Sequence, residues 1–514
     1  MTRFMSPSIA MIAAWIVGCG VVASPALAAE FVVDPKGAAA GDQNPGTAER
    51  PLKTLAKALE VAKAGDTILL ATGEYPAVAI GKTYDKPLTI AAAKGARPVM
   101  TGGVAVTRGG GVRLSGLTFT WPAGGRPTSD PKKPFIAIEN SKDVEVANFE
   151  LYDDPNLNQW VGTAASVGNS ERITIRDGNA HNFYFGFSMY RCKDATLRNL
   201  DIRMWSYEDG ARVTYCEGPI LIEGCHITNS GKAGNKGGHV DGIQSVYWNE
   251  NITIRNCHIH GLGQGIGAFG GKDGRRLKNW RVEGCLIYDT YAPHVCSVYE
   301  CDGVTVLNNT FPNNRPLLLR STNIVMKNNI IGQGMAAEKD MAADYNLWLA
   351  GAKIGEHDLA GDAKFVNAPL LALRADSNSL QYMTRSKFVF RESLRGKIAV
   401  GDDVEVYVMD GSARDAKPRK VTAVSGNVLE IDPPAASGPD PGVAVYKWPA
   451  GAKDLVSDFR LKADSPAIDS ADGAVKRGKD MDGHEPTDVP GVPNTGAGDV
   501  KYLDRGAFEH VPAK

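Results

Sequence analysis

The chain has 514 residues, of which 43% are hydrophobic and 22% are charged. It is therefore long enough to bury an extended core. Its 57 basic and 58 acidic residues almost cancel, so no bulk attraction to nucleic acid or to membrane surfaces is expected. Any basic binding site must therefore be local. The 57 glycines suit a protein that turns often.

The first segment has the features of a secretory signal. Arg3 precedes an apolar run over residues 9–22, and small residues at 26–28 fit a cleavage site. The run is short and two glycines interrupt it, so a membrane-spanning anchor is not expected. A lipoprotein site at Cys19 is disfavoured because hydrophobic residues continue after it. We predict a signal peptide over residues 1–28 and a mature protein that is secreted or periplasmic.

One amphipathic helix is predicted near the mature N-terminus. Over residues 52–62, the apolar side chains of Leu52, Leu55, Ala56 and Leu59 share one face. Such a helix can cover the open end of a stack of strands, where unpaired edges would aggregate.

A short β-rich phrase recurs between residues 86 and 331. Apolar and polar residues alternate within it, which is the period of a strand. The steps between copies run from 20 to 32 residues, which indicates stacked units. The copies lie at 112–119, 144–151, 173–180, 195–202, 220–227, 252–259, 280–287, 304–311 and 324–331. Strands that repeat without hairpin turns stack in parallel, so we predict an all-β fold, a parallel β-helix (solenoid) over residues 30–370.

Six cysteines fall at two shared repeat positions. Identical residues stacked in a solenoid core usually pack there, which favours packing over disulfides or metal ligation. The two sets are Cys225, Cys257 and Cys285, and Cys192, Cys216 and Cys301.

The C-terminal third departs from the repeat. Residues 385–450 alternate apolar and polar residues between turns, which predicts a small inserted antiparallel β module. Residues 455–514 are predicted to form a closing coil and a C-terminal tail.

The segments 51–75, 86–103 and 112–119 resemble the cap and first coils of exported right-handed parallel β-helix carbohydrate-active enzymes. The nearest are the polysaccharide lyases that include alginate lyases and chondroitinase B. The closing SPAIDS and DRGAFE segments are similar to the tails of many such proteins. The resemblance covers about residues 31–331 and 455–510. The resemblance implies a right-handed parallel β-helix with an N-terminal capping α-helix, in a protein that acts on a polysaccharide.

Alignment of the second strand of each coil predicts one column of side chains. The column contains Phe185, Asp209, Asp241, Gln264 and His294. Asp209 and Asp241 then lie on neighbouring coils, about 5 Å apart, and strand parity turns Arg212 and Gln244 outward beside them. One Asp-Gly pair is typical of a turn. Two in register repel each other, which favours a proton-transfer site, a cationic partner or a bound metal.

We predict that the catalytic residues are Asp209, Arg212, His239, Asp241 and Lys236. The predicted substrate-binding residues are Gln244, Tyr207, Trp248, Lys272, Arg275 and His294. The metal expected at Asp209 and Asp241, if one is bound, is Ca²⁺, which prefers clustered carboxylate oxygens. No other cofactor is expected.

Three functions are open, and the basic loops favour the first. A lyase would cleave an acidic, uronate-containing polysaccharide by β-elimination, with Arg212 or a cation neutralising the uronate and His239 or Lys236 as base. A glycoside hydrolase or uronate epimerase would use Asp209 and Asp241 as an acid and base pair. A non-catalytic glycan-binding solenoid would use them only as turns. The expected partner is an anionic polysaccharide, with no nucleic acid and no membrane anchor.

Overall fold

A computed structural model describes residues 28–512, except 123, 158, 230–239, 272, 291–293, 376–378, 409–417, 436–442 and 453–454. The signal-peptide prediction therefore falls outside the described residues, apart from Ala28. No helix in the described part of the chain is long and apolar enough to cross a membrane.

The capping helix is confirmed, as α1 Leu55–Val61. It begins three residues later than predicted because Leu52 makes a β-bridge with Val33 and Thr54 is extended. The Thr54 hydroxyl accepts a hydrogen bond from the Lys57 N–H at 3.2 Å, which satisfies one of the free donors of the first turn.

The solenoid strands form one continuous system of parallel pairs. Their bounds are β1 Glu30–Val33, β2 Thr67–Leu70, β3 Gly73–Ile80, β4 Thr83–Ala92, β5 Pro98–Thr107, β6 Gly110–Ser115, β7 Thr118–Thr120, β8 Pro134–Glu139, β9 Lys142–Tyr152, β10 Thr163–Gly168, β11 Glu171–Phe183, β12 Phe185–Tyr190, β13 Lys193–Trp205, β14 Ala211–Thr214, β15 Ile220–Glu223, β16 His226–Thr228, β17 Asp241–Val246, β18 Glu250–Arg255, β19 His258–Leu262, β20 Gln264–Phe269, β21 Leu277–Glu283, β22 Leu286–Thr290, β23 His294–Tyr299, β24 Cys301–Leu307, β25 Thr310–Phe311, β26 Arg315–Leu317, β27 Thr322–Lys327, β28 Ile330–Ile331, β29 Met341–Asp344, β30 Leu347–Trp348 and β31 Leu359–Ala360.

Each coil has three faces, which we call sheets A, B and C. Sheet A contains β15, β18, β21, β24 and β27, paired in that order. Sheet B contains β12, β14, β17, β20, β23 and β26. Sheet C contains β16, β19, β22, β25 and β28. The long strands β9, β11 and β13 run through both A and C. The predicted parallel β-helix is confirmed.

The turn between sheets A and C contains an interior ladder of short polar side chains. Each accepts a hydrogen bond from a backbone N–H of the coil before it, and successive donors and acceptors lie 2.7 to 3.5 Å apart. The described cysteines are all free and buried, which confirms packing over disulfides. The ladder runs Cys257, Cys285, Asn309, Asn329, Asn346 and Asp358, with Cys225 at the same position one coil earlier.

The predicted antiparallel insertion is confirmed, and its sheet is larger than expected. It has seven strands and its own buried core, which includes Phe388, Phe390 and Leu429. Its first strand lies before residue 385 because it pairs with the last, far along the chain. The strands are β33 Leu370–Ala375, β34 Leu380–Met383, β35 Lys387–Phe390, β36 Asp403–Val408, β37 Arg419–Ser425, β38 Val428–Asp432 and β39 Val443–Lys447.

The C-terminal segment does not stack as a further parallel coil. Its strand β40 Asp458–Leu461 pairs antiparallel with β32 Phe365–Asn367. Beyond it, the buried Arg505 side chain donates to the Asn346 carbonyl at 2.8 Å. The Ala507 N–H donates to the Thr310 hydroxyl at 2.9 Å. The segment predicted as a closing coil therefore packs along the outside of sheet C, because its hydrogen bonds go to the flank of the stack.

Candidate functional site

The candidate site lies on the outer face of sheet B. The pairing of β14 with β17 joins Arg212 to Gln244, which puts Asp209 and Asp241 in one row. The Gly210 N–H donates to the Asp241 carbonyl at 3.0 Å. Asp241 is in turn paired with Gln264. The structure thus has the register that the repeat alignment predicts.

The two aspartates are more enclosed than predicted. Strand parity predicts that they lie beside outward-facing Arg212 and Gln244, but both aspartates are 0% exposed. Arg212 Nε donates to Asp209 Oδ2 at 2.7 Å, and Gln244 Nε2 donates to Asp241 Oδ2 at 3.0 Å. Each outward side chain folds back over the aspartate three residues before it. The two carboxylates are therefore covered by Arg212 and Gln244 and do not form an open pair.

Burial dominates the electrostatics of Asp209. Desolvation raises its pKa to about 8, the nearby Arg212 charge opposes the rise, and the charge of Asp241 adds to it. Asp209 Oδ1 is buried without a hydrogen-bond partner in the described part of the chain. Arg212 also forms an ion pair with Glu208, so its charge is shared. Asp209 consequently holds a proton at neutral pH and can act as a proton donor.

The raised pKa predicts how Asp209→Asn changes stability with pH. Because the folded-state pKa of about 8 exceeds the ordinary value, folding binds a proton between about pH 4 and 8, and stability falls as pH rises through this range. Asparagine cannot titrate. The variant should therefore gain stability relative to the parent between pH 5 and 9, by on the order of a few kcal/mol.

Thermal unfolding midpoints of both proteins at pH 5, 7 and 9 measure this gain. The matched control is Asp302→Asn, because hydrogen bonds from Asn323 and Thr322 lower the pKa of that exposed aspartate. It stays ionised over the whole range, so its replacement should bring no gain. Parallel curves for Asp209→Asn and the parent would contradict a protonated Asp209.

His294 continues the row into a basic region. It is paired with Arg315 on β26, and burial together with the charges of Arg315 and Arg374 lowers its pKa. Arg374 comes from β33 of the inserted sheet and donates to Asn314 Oδ1 at 3.0 Å. Arg315 makes no salt bridge within the described residues. Sequence reasoning missed both arginines, since β26 departs from the repeat phrase and β33 lies outside the predicted module.

Tyr207 lies at the same end of sheet B as Asp209. Its ring stacks on Tyr184 with centroids 4.8 Å apart, and the Lys132 ammonium lies 5.4 Å from its centroid. Tyr207 thus belongs to an aromatic pair two residues before Asp209 in the chain, and its role in substrate binding stays a prediction.

Trp248 and Arg275 lie at the other end of the strands. Strand β17 and the following turn place Trp248 roughly 20 Å from Asp241, at about 3.3 Å per residue. The Arg275 guanidinium stacks on the indole, 3.7 Å from its centroid. Both line a cleft of about 420 Å³ with Arg191 and Tyr215. Arg275 and Trp248, predicted together with the aspartates as parts of one site, therefore lie apart from them, because the loop that carries Arg275 leaves the C-terminal end of β20.

Three predicted site residues, His239, Lys236 and Lys272, lie outside the described residues, and their roles stay predictions. The carboxylates of Asp209 and Asp241 do not fit Ca²⁺ as placed. Arg212 and Gln244 occupy one oxygen of each, whereas Ca²⁺ takes six to eight oxygen ligands.

A second cluster of polar side chains lies on sheet C. His226, His258 and His260 bring one ring nitrogen each within 4.8 Å of the others. The sequence signal was available, since the triplet Cys-His-Ile recurs at 225–227 and 257–259. The shared cysteine position predicts packing in those segments and does not by itself predict a histidine cluster.

Two protein-family models match parts of the chain. One, described as right handed beta helix region, matches residues 134–311. The other, described as protein of unknown function (DUF1565), matches residues 38–177. The first includes the strands around Asp209 and Asp241 and confirms the handedness. The predicted resemblance to right-handed β-helix carbohydrate-active enzymes is thus confirmed for the architecture. No protein of curated function matches the chain.

Similar solved structures include a pectate lyase, a protein bound to xylose and a module of a mannuronan C-5 epimerase. Pectate lyase Pel9A is 16% identical, with 94% of this chain and 96% of that one covered and a TM-score of 0.42. XylC in complex with xylose is 12% identical, with 81% and 100% covered and a TM-score of 0.47. The A-module of Azotobacter vinelandii mannuronan C-5 epimerase AlgE4 is 15% identical, with 58% and 87% covered and a TM-score of 0.37. Similarity at this level concerns the fold and assigns no chemistry.

Proposed function

We propose that the chain is an exported enzyme that acts on an acidic, uronate-containing polysaccharide at sheet B and cleaves it by β-elimination. The observation that carries the proposal is one continuous row of polar side chains, which occupy the same register position on successive strands of sheet B. The acid pair Asp209 and Asp241 leads through Gln264 to His294 and Arg315.

The basic end of the row suits a uronate carboxylate. Arg315 has no salt bridge within the described residues, and its guanidinium offers a planar fork that matches carboxylate geometry. Arg374 adds a second positive charge near His294. A chain of sugars lying along the solenoid axis would place successive acid groups on successive coils.

Elimination divides into three tasks. A base removes the C5 proton, a double bond forms between C4 and C5 as the C4–O bond breaks, and an acid protonates the leaving oxygen. Asp209 is the proposed acid because its raised pKa keeps a proton available at neutral pH. Arg212 lies beside it and can stabilise negative charge. His239 and Lys236 remain the proposed bases.

A glycoside hydrolase is the second candidate, favoured by one observation. A carboxyl group with a pKa of about 8 beside a second carboxyl group has the divided protonation that glycosidases use, one group as acid and the other as base or nucleophile. Hydrolysis needs water instead of a C5 base.

A screen on anionic and neutral polysaccharides separates the candidates. The unsaturated product of elimination absorbs in the ultraviolet, whereas hydrolysis yields reducing ends without that absorbance. An absorbing product from a uronate polymer supports the lyase. Activity on neutral glycans only, or no change in any polymer, contradicts it.

Arg315→Ala tests the proposed binding of an anionic substrate. Loss of one guanidinium that contacts a carboxylate should weaken binding about 10-fold or more at low salt. The loss should shrink at high salt, where exposed charges are screened. Affinity electrophoresis through gels containing the polysaccharide measures both.

Arg320→Ala is the matched control for Arg315→Ala. Its guanidinium forms an ion pair with Glu300 at 2.9 Å and is 73% exposed, so its removal changes the net charge equally without touching the row. Equal weakening by both variants would show a general charge effect and count against a binding role for Arg315.

A further inference from the structure

The outer face of sheet C carries three histidines on two neighbouring coils. His226 is paired in register with His258, and Thr228 with His260. The His226 ring centroid lies 5.0 Å from that of His258 and 5.2 Å from that of His260. The ring centroids of His258 and His260 are 4.7 Å apart. Stacking of the coils therefore concentrates three imidazoles in one small volume.

Two of the ring nitrogens face each other. His226 Nε2 lies 3.0 Å from His260 Nε2. Two nitrogen ligands of a tetrahedral zinc ion lie about 3.3 Å apart, given Zn–N bonds of about 2.0 to 2.1 Å. The third ring reaches the same region, since one nitrogen of each histidine lies within 4.8 Å of the others.

The outer nitrogen of His226 has a carboxylate partner. His226 Nδ1 lies 3.1 Å from Asp201 Oδ1. A metal-bound histidine usually donates its other N–H to such a carboxylate, which fixes the tautomer and leaves the second nitrogen as a lone-pair donor. With its proton held toward Asp201, His226 directs the lone pair of Nε2 at His260.

The cluster is accessible to ions. His226 is 38% exposed, and both His226 and His258 line a cleft of about 740 Å³ between sheet C and the C-terminal segment. Asp458, Asp480 and Asp482 line the same cleft, and their charges would attract a cation. His258 Nε2 also lies 3.2 Å from the Tyr288 hydroxyl.

We infer that His226, His258 and His260 bind a divalent first-row transition metal, with Asp201 orienting His226. Imidazole nitrogens select zinc, copper, nickel or iron, whereas calcium and magnesium prefer oxygen ligands. The site is separate from the aspartates of sheet B and does not depend on the proposed polysaccharide chemistry. The competing structure is a simple hydrogen bond between His226 and His260, which would need no metal.

Calorimetric titration of the chelator-treated protein with ZnCl₂ tests the inference. We expect one zinc ion per chain, and no comparable binding of CaCl₂. Titration with CoCl₂ should produce visible bands of nitrogen-ligated cobalt. Absence of saturable zinc binding would overturn the inference. So would a cobalt-thiolate charge-transfer band, which would assign the metal to the cysteines.

Variants locate the metal. His258→Gln and His260→Gln should each weaken zinc binding by at least about 100-fold, and Asp201→Asn by about 10- to 100-fold. His357→Gln is the matched control, because His357 Nδ1 also lies close to an aspartate, 2.8 Å from Asp344 Oδ2, but outside the cluster. The zinc affinity of the His357→Gln variant should match that of the parent. Circular dichroism confirms that each variant is folded, and unchanged zinc affinity in both glutamine variants would overturn the assignment.

Discussion

Asp241→Asn is expected to lower the rate of polysaccharide cleavage by at least about two orders of magnitude, the usual contribution of a general acid, because it disturbs the protonation of Asp209, the proposed acid. The substitution keeps the shape of the side chain and still accepts the hydrogen bond that Gln244 donates at 3.0 Å. It removes the charge that helps to raise the pKa of Asp209. Both carboxyl groups of the pair are therefore changed by one substitution.

The control for Asp241→Asn addresses the alternative that the aspartate only shapes a turn. Asp194 is an exposed residue at the start of β13 with φ of 49°, and Asp194→Asn should leave the rate unchanged because asparagine tolerates that left-handed conformation equally well. Initial rates on the polymer identified by the screen measure both variants. Full activity in Asp241→Asn would remove the aspartate pair from the mechanism.

The burial of Asp241 also changes what is expected of stability. An exposed aspartate would support little packing, and its replacement would leave the melting temperature unchanged. Asp241 is instead 0% exposed, so a change in melting temperature is expected. The rate must therefore be compared at a temperature where the parent and the variant are both folded, which circular dichroism establishes.

The stacking of the coils was predictable because it depends on local periodicity. The repeat phrase predicts the strands, and the alignment of the second strand of each coil predicts the register of Asp209 and Asp241. Parity also identified Arg212 and Gln244 as outward residues. What parity could not give is the path of a long side chain, and both residues fold back over the aspartates.

The inserted sheet and the covering of sheet C were harder to predict because they depend on pairing between distant residues. Strand β33 is paired with β39 across about 70 residues, and no local pattern marks such a partner. The covering of sheet C by residues 458–510 depends on bonds such as that from Arg505 to the Asn346 carbonyl. The pairing of His226 with His258 follows from the repeat alignment, but the approach of His226 Nε2 to His260 Nε2 depends on side-chain conformation, which no sequence pattern gives.

Asn329→Ala is expected to destabilise the solenoid more than any surface change. Asn329 is 0% exposed. Its Oδ1 accepts from the Asn309 N–H at 3.0 Å, and its Nδ2 donates to the Val306 carbonyl at 2.9 Å. Alanine leaves these buried backbone groups unpaired, at about 1 to 3 kcal/mol each. We expect a loss of about 3 to 5 kcal/mol, seen as a lower midpoint in urea unfolding.

The ladder itself supplies the variant that distinguishes hydrogen bonding from packing. Cysteine occupies the equivalent position in earlier coils, where Cys285 Sγ accepts from the Cys257 N–H at 3.5 Å. Asn329→Cys should therefore recover part of the stability that Asn329→Ala loses, because sulfur can accept from the Asn309 N–H. Asn179→Ala, at an exposed strand position, should change stability by less than about 0.5 kcal/mol. If alanine and cysteine at 329 prove equally destabilising, the sulfur does not substitute for the amide, and the ladder is held by the asparagine contacts alone.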